Sequence, residues 1–160
     1  MDTETTPDHG ERSFEHTPGF LIRRLHQIHL ALFAEECSGF EVTPVQYSIM
    51  SVIGEQPGMD QSKISTEIGV DRATLASVVA RLEANGFLRR IVSRLDRRQK
   101  LLTLTARGKT MLIKMQEPVQ RAHMRTVAPL PPEERELFLT LLTQLVGGGN
   151  DYGRAKLRLR

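Results

Sequence analysis

Two capped segments follow each other with hardly a gap: Asp60 leads Gln61 to Ile68, which Gly69 ends, and Asp71 leads Arg72 to about Asn85, which Gly86 ends. An aspartate ahead of a helical run accepts the first unpaired amide protons, and a glycine just past the run supplies a left-handed exit. Ile64 and Ile68 lie one turn apart in the first segment, and Leu75, Val78, Val79 and Leu82 share a face in the second, so each reads as an amphipathic helix. Two such helices joined by a turn of three or four residues make a helix-turn-helix.

The charge distribution points the same way. Between Arg89 and Lys100 stand Arg89, Arg90, Arg94, Arg97, Arg98 and Lys100 against the single acid Asp96, a local net charge of +5, while the whole chain carries +3, so the remainder sums to −2. Basicity concentrated in one place implies a polyanion gripped there, with DNA the first candidate. Apolar pairs flank the run, Phe87-Leu88 and Ile91-Val92 before it and Leu101-Leu102 with Leu104 after it, the pattern of a β-hairpin with a charged tip. Helix-turn-helix and hairpin together predict a winged helix.

The chemistry of contact follows. A helix fits the major groove of B-DNA, about 12 Å wide, and residues near its N-terminus meet base edges. Those residues here are Arg72, Ala73, Thr74 and Ser77. Arg72 offers a bidentate fork to guanine, Thr74 and Ser77 a bond to base or phosphate, and Ala73 a contact to a thymine methyl, while Arg81 is placed to meet phosphate. On the hairpin, Arg94, Arg97 and Arg98 are the groove candidates, since the narrow minor groove concentrates negative potential. Asp96 is expected to pair with Arg94 or a neighbouring arginine and hold the turn, because a bare carboxylate beside phosphate costs binding energy.

The rest of the chain supports a mainly helical fold with a small β-hairpin wing. Residues 1–17 read as a flexible N-terminal arm and 148–160 as a flexible basic tail, with Gly147-Gly148-Gly149 as a linker. A helix from Gly19 to about Cys37, a second opened by Thr43-Pro44, a long one over 106–127 expected to kink at Pro118, and a last one from Glu133 complete the set. The last presents Leu137, Phe138, Leu141, Leu142, Leu145 and Val146, more apolar face than a terminal helix exposes alone. The expected division is therefore 18–40 with 106–147 as dimerisation helices and 41–105 as the DNA-binding winged helix. No run approaches the roughly 18 apolar residues of a membrane span, the polar start is unlike a signal peptide, and Cys37 is the lone cysteine, so a cytoplasmic protein without membrane attachment is expected.

Asp96-Arg97-Arg98, followed by a strand ending in Leu104-Thr105 and then by Gly108, resembles the wing signature of the MarR family of bacterial repressors. The similarity extends over residues 19 to 147 and includes Asp71-Arg72 at the start of the second helix and Arg81-Leu82-Glu83 before Gly86. The resemblance implies an obligate homodimer of winged-helix units on a pseudo-palindromic operator, usually a repressor released by a small aromatic effector. Carried over by position, Asp96 and Arg98 become the wing pair.

For an effector, Arg23, Arg24, His26, His29, Phe33, Tyr47 and Met50 are the candidate binding residues. The segment from Gly19 to Phe33 is similar to regulators of aromatic-acid degradation that sense hydroxycinnamate or benzoate compounds as coenzyme A thioesters. Paired arginines suit a carboxylate or the phosphates of a thioester tail. Two rival regulators are weighed against this one. A thiol sensor would use Cys37, but Glu35 and Glu36 and the helix C-terminus disfavour the thiolate. A metal-responsive regulator would use His26 and His29, which lack further evident ligands. No nucleophile–base constellation or phosphate-cradling loop suggests an enzyme, and no cofactor or metal is implied.

Overall fold

The computed structural model describes residues 13–158. Six helices and one hairpin follow in order: α1 (Pro18–Glu36), α2 (Pro44–Glu55), α3 (Gln61–Ile68), α4 (Arg72–Ala84), β1 (Leu88–Val92), β2 (Lys100–Leu104), α5 (Ala106–Val127) and α6 (Pro132–Gly149). The caps act as their residue types dictate. Thr43 accepts from the Gln46 amide while the Gln46 side chain returns the favour to the Thr43 amide, and Asp60 and Asp71 accept from the amides of Lys63 and Thr74. Gly69 and Gly86 leave their helices at φ +65° and +73°, where a β-carbon is strained. Helix α5 runs on through Pro118, which has no N–H to give the carbonyl of Lys114.

The core gathers under the helix-turn-helix: Ile49, Met50, Ile53, Ile64, Leu75, Val79, Leu82, Leu102 and Met115 are all essentially inaccessible to solvent. Strands β1 and β2 pair antiparallel, Leu88 opposite Leu104 and Val92 opposite Lys100. The residues before α3 extend this ladder, since Leu102 donates to the Met59 carbonyl and accepts from the Gly58 amide. Hairpin and helix-turn-helix are therefore one packed body.

Thr105 joins three elements. Its hydroxyl accepts from the Gly108 amide at 3.0 Å, capping α5, and donates to the Gly86 carbonyl at 2.6 Å, just past α4. Gly108 is required by contact rather than by dihedral angle: a β-carbon there would overlap the Phe87 carbonyl oxygen, 2.1 Å away.

The two chain ends depart from expectation. Residues 1–12 and 159–160 lie outside the described residues, but the last part of the 1–17 arm is folded, with Phe14–His16 in a 3-10 turn and the Phe14 ring edge-on to Phe20 at 5.3 Å. The expected linker at Gly147-Gly148-Gly149 is the last turn of α6. Beyond it the expected flexible basic tail instead doubles back onto α3, through a 3-10 turn at Asn150–Tyr152 and a hydrogen bond from the Arg158 amide to the Thr66 carbonyl at 2.8 Å. No residue of α6 is buried, and Leu137 and Leu145 are 58% and 66% exposed.

Candidate nucleic-acid interface and effector cleft

The cap of α4 arranges its first turn. Asp71 accepts from the Thr74 amide at 2.9 Å and from the Thr74 hydroxyl at 2.7 Å, which holds its carboxyl below the usual carboxylate range, the Thr74 amide contributing most. The Thr74 hydroxyl proton is thus given to the cap, which leaves that oxygen accepting capacity for the base contact expected of it. Arg72, Ala73, Ser77 and Arg81 are exposed on α4. Asp71 serves the cap, and Arg158 approaches Glu67 at 3.7 Å.

The wing tip is held by short backbone-directed bonds. Ser93, buried, accepts through its hydroxyl from the amides of Leu95 at 3.2 Å and Asp96 at 3.3 Å. Asp96 does not form the ion pair with Arg94 that the sequence suggests. Its carboxylate accepts from the Arg98 amide at 2.9 Å, an Asx turn that fixes the loop through the main chain. Gln99 then donates from its side-chain amide to Asp60 at 2.7 Å, tying the wing to the cap of α3. Sequence separation hides that bond, and only the polar, chain-reversing composition of the tip hinted at a partner.

Several arginines elsewhere in the protein are satisfied internally. Arg90 lies 3.0 Å from Glu83, Arg121 pairs with Glu36 and Glu117, Arg125 pairs with Glu35 and Glu36, and Arg135 donates to the carbonyls of Leu130 and Ala128. Arg72, Arg81, Arg94, Arg97 and Arg98 have no ion pair or side-chain hydrogen bond among the described residues. Guanidinium groups left unneutralised at the start of α4 and at the wing tip are what a phosphate backbone needs.

A second feature lies where α2 crosses α5. One cavity of about 430 Å³ is lined by Tyr47, Ser51, Gly54, Lys109, Leu112 and Gln116 among others. Another of about 410 Å³ is lined by Tyr47, Ser48, Ser51, Val52, Ile68, His123 and Leu157 with Glu67. Tyr47 and Ser51 belong to both. Of the expected ligand residues Tyr47 is therefore in place, whereas Met50, with no exposure, and Phe33 sit in the core. Arg23, Arg24 and His26 are exposed on α1, with Arg23 stacked over the Phe20 ring at 5.4 Å. Ser51, Lys109, Gln116 and His123 escaped the sequence reading, although 109, 112, 116 and 123 recur on one side of α5 at helical spacing.

His29 borders this region. Its ring stacks on His123 at 5.2 Å, and its Nδ1 lies 2.8 Å from the Thr126 hydroxyl. That hydroxyl donates to the Ala122 carbonyl, so it accepts from His29, which carries the proton on Nδ1 and keeps Nε2 as an acceptor. Burial, then His123 and His26, lower the His29 pKa, so the neutral ring dominates at neutral pH. Among the described residues no group of three or more histidine, cysteine, aspartate or glutamate side chains is placed to hold a metal, against the reading of His26 and His29 as ligands. Cys37 is buried, and burial, followed by the Glu36 charge, pushes its thiol up, against the thiol sensor.

Six helices with a two-stranded wing, and unpaired arginines on α4 and on that wing, make a winged-helix protein, a fold whose relatives here are transcriptional regulators rather than enzymes. Comparison with known proteins agrees. The MarR family model matches residues 42–100. A Thauera aromatica protein described as a transcriptional regulatory protein for the hcr operon is 34% identical over 128 residues, 79% of this chain and 77% of its own length. The PcaV transcriptional regulator of Streptomyces coelicolor, solved with its natural ligand, is 32% identical with a TM-score of 0.79, covering 85% of this chain and 96% of its own. Bordetella bronchiseptica BpsR, whose DNA binding is regulated by 6-hydroxynicotinic acid, is 27% identical with a TM-score of 0.80, covering 85% of this chain and 97% of its own. The chain belongs to the MarR family. Among the described residues no helix is long and apolar enough to cross a membrane.

Proposed function

We propose that this protein is a cytoplasmic repressor that binds a pseudo-palindromic operator as a homodimer and is released by a small aromatic acid. The observation that carries the DNA half is the set of unpaired guanidinium groups at Arg72, Arg94, Arg97 and Arg98, gathered at the start of α4 and on the wing, whereas Arg90, Arg121 and Arg125 are neutralised internally. Arg72, Ala73 and Ser77 read the major groove, Arg81 meets phosphate, and the wing arginines enter the minor groove, with Asp96 shaping the turn. Dimerisation follows from the exposed leucines of α6 and from Leu21, Ile22 and Ile28 of α1, apolar faces that a second copy covers. Two recognition helices then reach successive major grooves about 34 Å apart.

The effector seat is the cleft between α2 and α5. Its volume fits one or two aromatic rings. Tyr47 offers a hydroxyl, Ser51 an oxygen whose proton goes to the Tyr47 carbonyl, and Lys109 a cation for a carboxylate, while His123, stacked on His29, adds its ring in the adjoining cavity. Arg23, Arg24 and His26 stand outside it on α1, where they serve a ligand's polar end once the α1 helices of two copies meet. BpsR, which answers to 6-hydroxynicotinic acid, supports an aromatic acid. A coenzyme A thioester would keep its nucleotide outside the cleft against those arginines.

The test is a thermal-shift screen of hydroxybenzoates, hydroxynicotinates and hydroxycinnamates beside their coenzyme A thioesters, with hits retested by anisotropy for release of promoter DNA. A ligand at a hundredfold over its Kd stabilises by about 2.7 kcal/mol. Free acids that stabilise the protein and release DNA support the reading. A response to thioesters alone moves the assignment to them, and promoter fragments that do not bind in dilute buffer refute the DNA half.

A further inference from the structure

The segment after α6 is built as a clasp. The Asn150 side-chain amide donates to the Leu157 carbonyl at 2.7 Å, and the Leu157 amide donates back to the Asn150 side-chain oxygen at 2.9 Å. Lys156 lies 2.9 Å from Asp151 across the same loop. A single asparagine thus closes a reversal of eight residues with two bonds, the geometry by which one peptide group pairs with another.

What the clasp delivers is specific. Leu157 is set against Gly69, its Cβ 3.3 Å from where a β-carbon of Gly69 would stand. Gly69 therefore serves twice: it turns the chain out of α3 at φ +65° and leaves room for the leucine. One residue on, the Arg158 amide donates to the Thr66 carbonyl at 2.8 Å. Thr66 lies in the last turn of α3, whose carbonyls have no helical partner, so the tail caps the first helix of the helix-turn-helix from outside it. The Arg158 guanidinium approaches Glu67 at 3.7 Å. Leu157 also lines the cleft that holds Tyr47, Ser51, Ile68 and His123.

We infer that residues 150–158 form a strap that caps α3 and supplies the outer apolar wall of the effector cleft. The second part rests on the effector reading given above, while the first stands without it. Because the strap continues from α6, whose own side chains are not buried in this chain, it links the helix that carries the dimer face to the helix that seats α4. A one-ring aromatic acid lying between Tyr47 and Ile68 presses its apolar edge on Leu157, so ligand and α3 cap share one residue.

Three variants test it in the full dimer: a chain ending after Gly149, Leu157→Ser, and Asn150→Ala, which breaks the clasp and keeps the wall residue. Circular dichroism checks that each remains helical. Amide hydrogen exchange is then followed over residues 61–70, and binding of 4-hydroxybenzoate and 6-hydroxynicotinate is measured by calorimetry. The expected result is exchange in α3 at least about fivefold faster in all three, and ligand binding about tenfold weaker in the truncated chain and in Leu157→Ser. Unchanged α3 exchange in the truncated chain overturns the cap. Faster exchange with undiminished ligand binding overturns the wall. If neither acid binds the intact protein, the effector reading fails for these acids, and the exchange data still decide the cap.

Discussion

Replacing Thr105 with alanine removes one hydroxyl that serves two elements. The cap of α5 loses the bond to the Gly108 amide at 3.0 Å, and an N-cap threonine is worth about 1 kcal/mol. The Gly86 carbonyl loses its 2.6 Å donor in a half-buried place, worth about 1 kcal/mol more. The sum, about 2 kcal/mol, corresponds to a Tm lower by roughly 4–8 °C for a chain of this length. Thermal melts by circular dichroism at one fixed protein concentration measure it, since dimer stability depends on concentration. Thr105→Ser keeps both bonds and is expected to melt within about 2 °C of the parent. Operator affinity well below Tm is expected to survive in both variants, because no DNA-facing arginine changes. An alanine variant that melts with the parent refutes the reasoning. So does a serine variant as unstable as alanine, which would shift the effect to the methyl group.

Arg98→Ala is expected to weaken binding to all operators alike and, with two copies per dimer, to flatten the slope of log affinity against log salt by about 2; Arg72→Ala is expected to relax preference at one base position per half-site, read by binding to single-base operator variants. Leu141→Glu with Leu145→Glu on α6 is expected to give a monomer in sedimentation that binds operator at least about a hundredfold more weakly; an intact dimer would remove α6 from the interface. For pH, the folded His29 has a lowered pKa, so the unfolded chain takes up its proton first as pH falls below about 6.5. Stability from this group is complete above that pH and declines below it, and His29→Gln is expected to lose less of its urea midpoint between pH 7.5 and 5.5 than the parent does; equal losses would contradict the assignment.

The helix-turn-helix was legible because its determinants are local. Asp60 and Asp71 each cap a helix by bonding an amide three residues on, so residue type and spacing suffice to place α3 and α4; Thr105 caps α5 in the same way, a signal the sequence reading did not use. The wing was legible from alternation and charge. Asp96 was assigned the right task, holding the turn, by the wrong bond, since charge suggests arginine side chains while the short side chain reaches a main-chain amide two residues away. Met50 and Phe33 were misplaced for another reason: a methionine or phenylalanine on an apolar face has the same pattern in a core as beside a ligand. The cleft itself depends on α2 lying against α5, and the strap on Asn150, Leu157 and Gly69 coming together. Neither follows from periodicity, and three consecutive glycines argued for a linker where α6 continues.

The bond from Gln99 to the cap of α3 has a consequence for how such a protein lets go. Because the wing is fastened to the cap of α3, and α3 packs against α4, the proposed minor-groove and major-groove contacts of one copy belong to a single body. Under the contacts proposed above, each half of a dimer lets go as a unit, and one inserted base pair between operator halves is expected to weaken wing and helix contacts together.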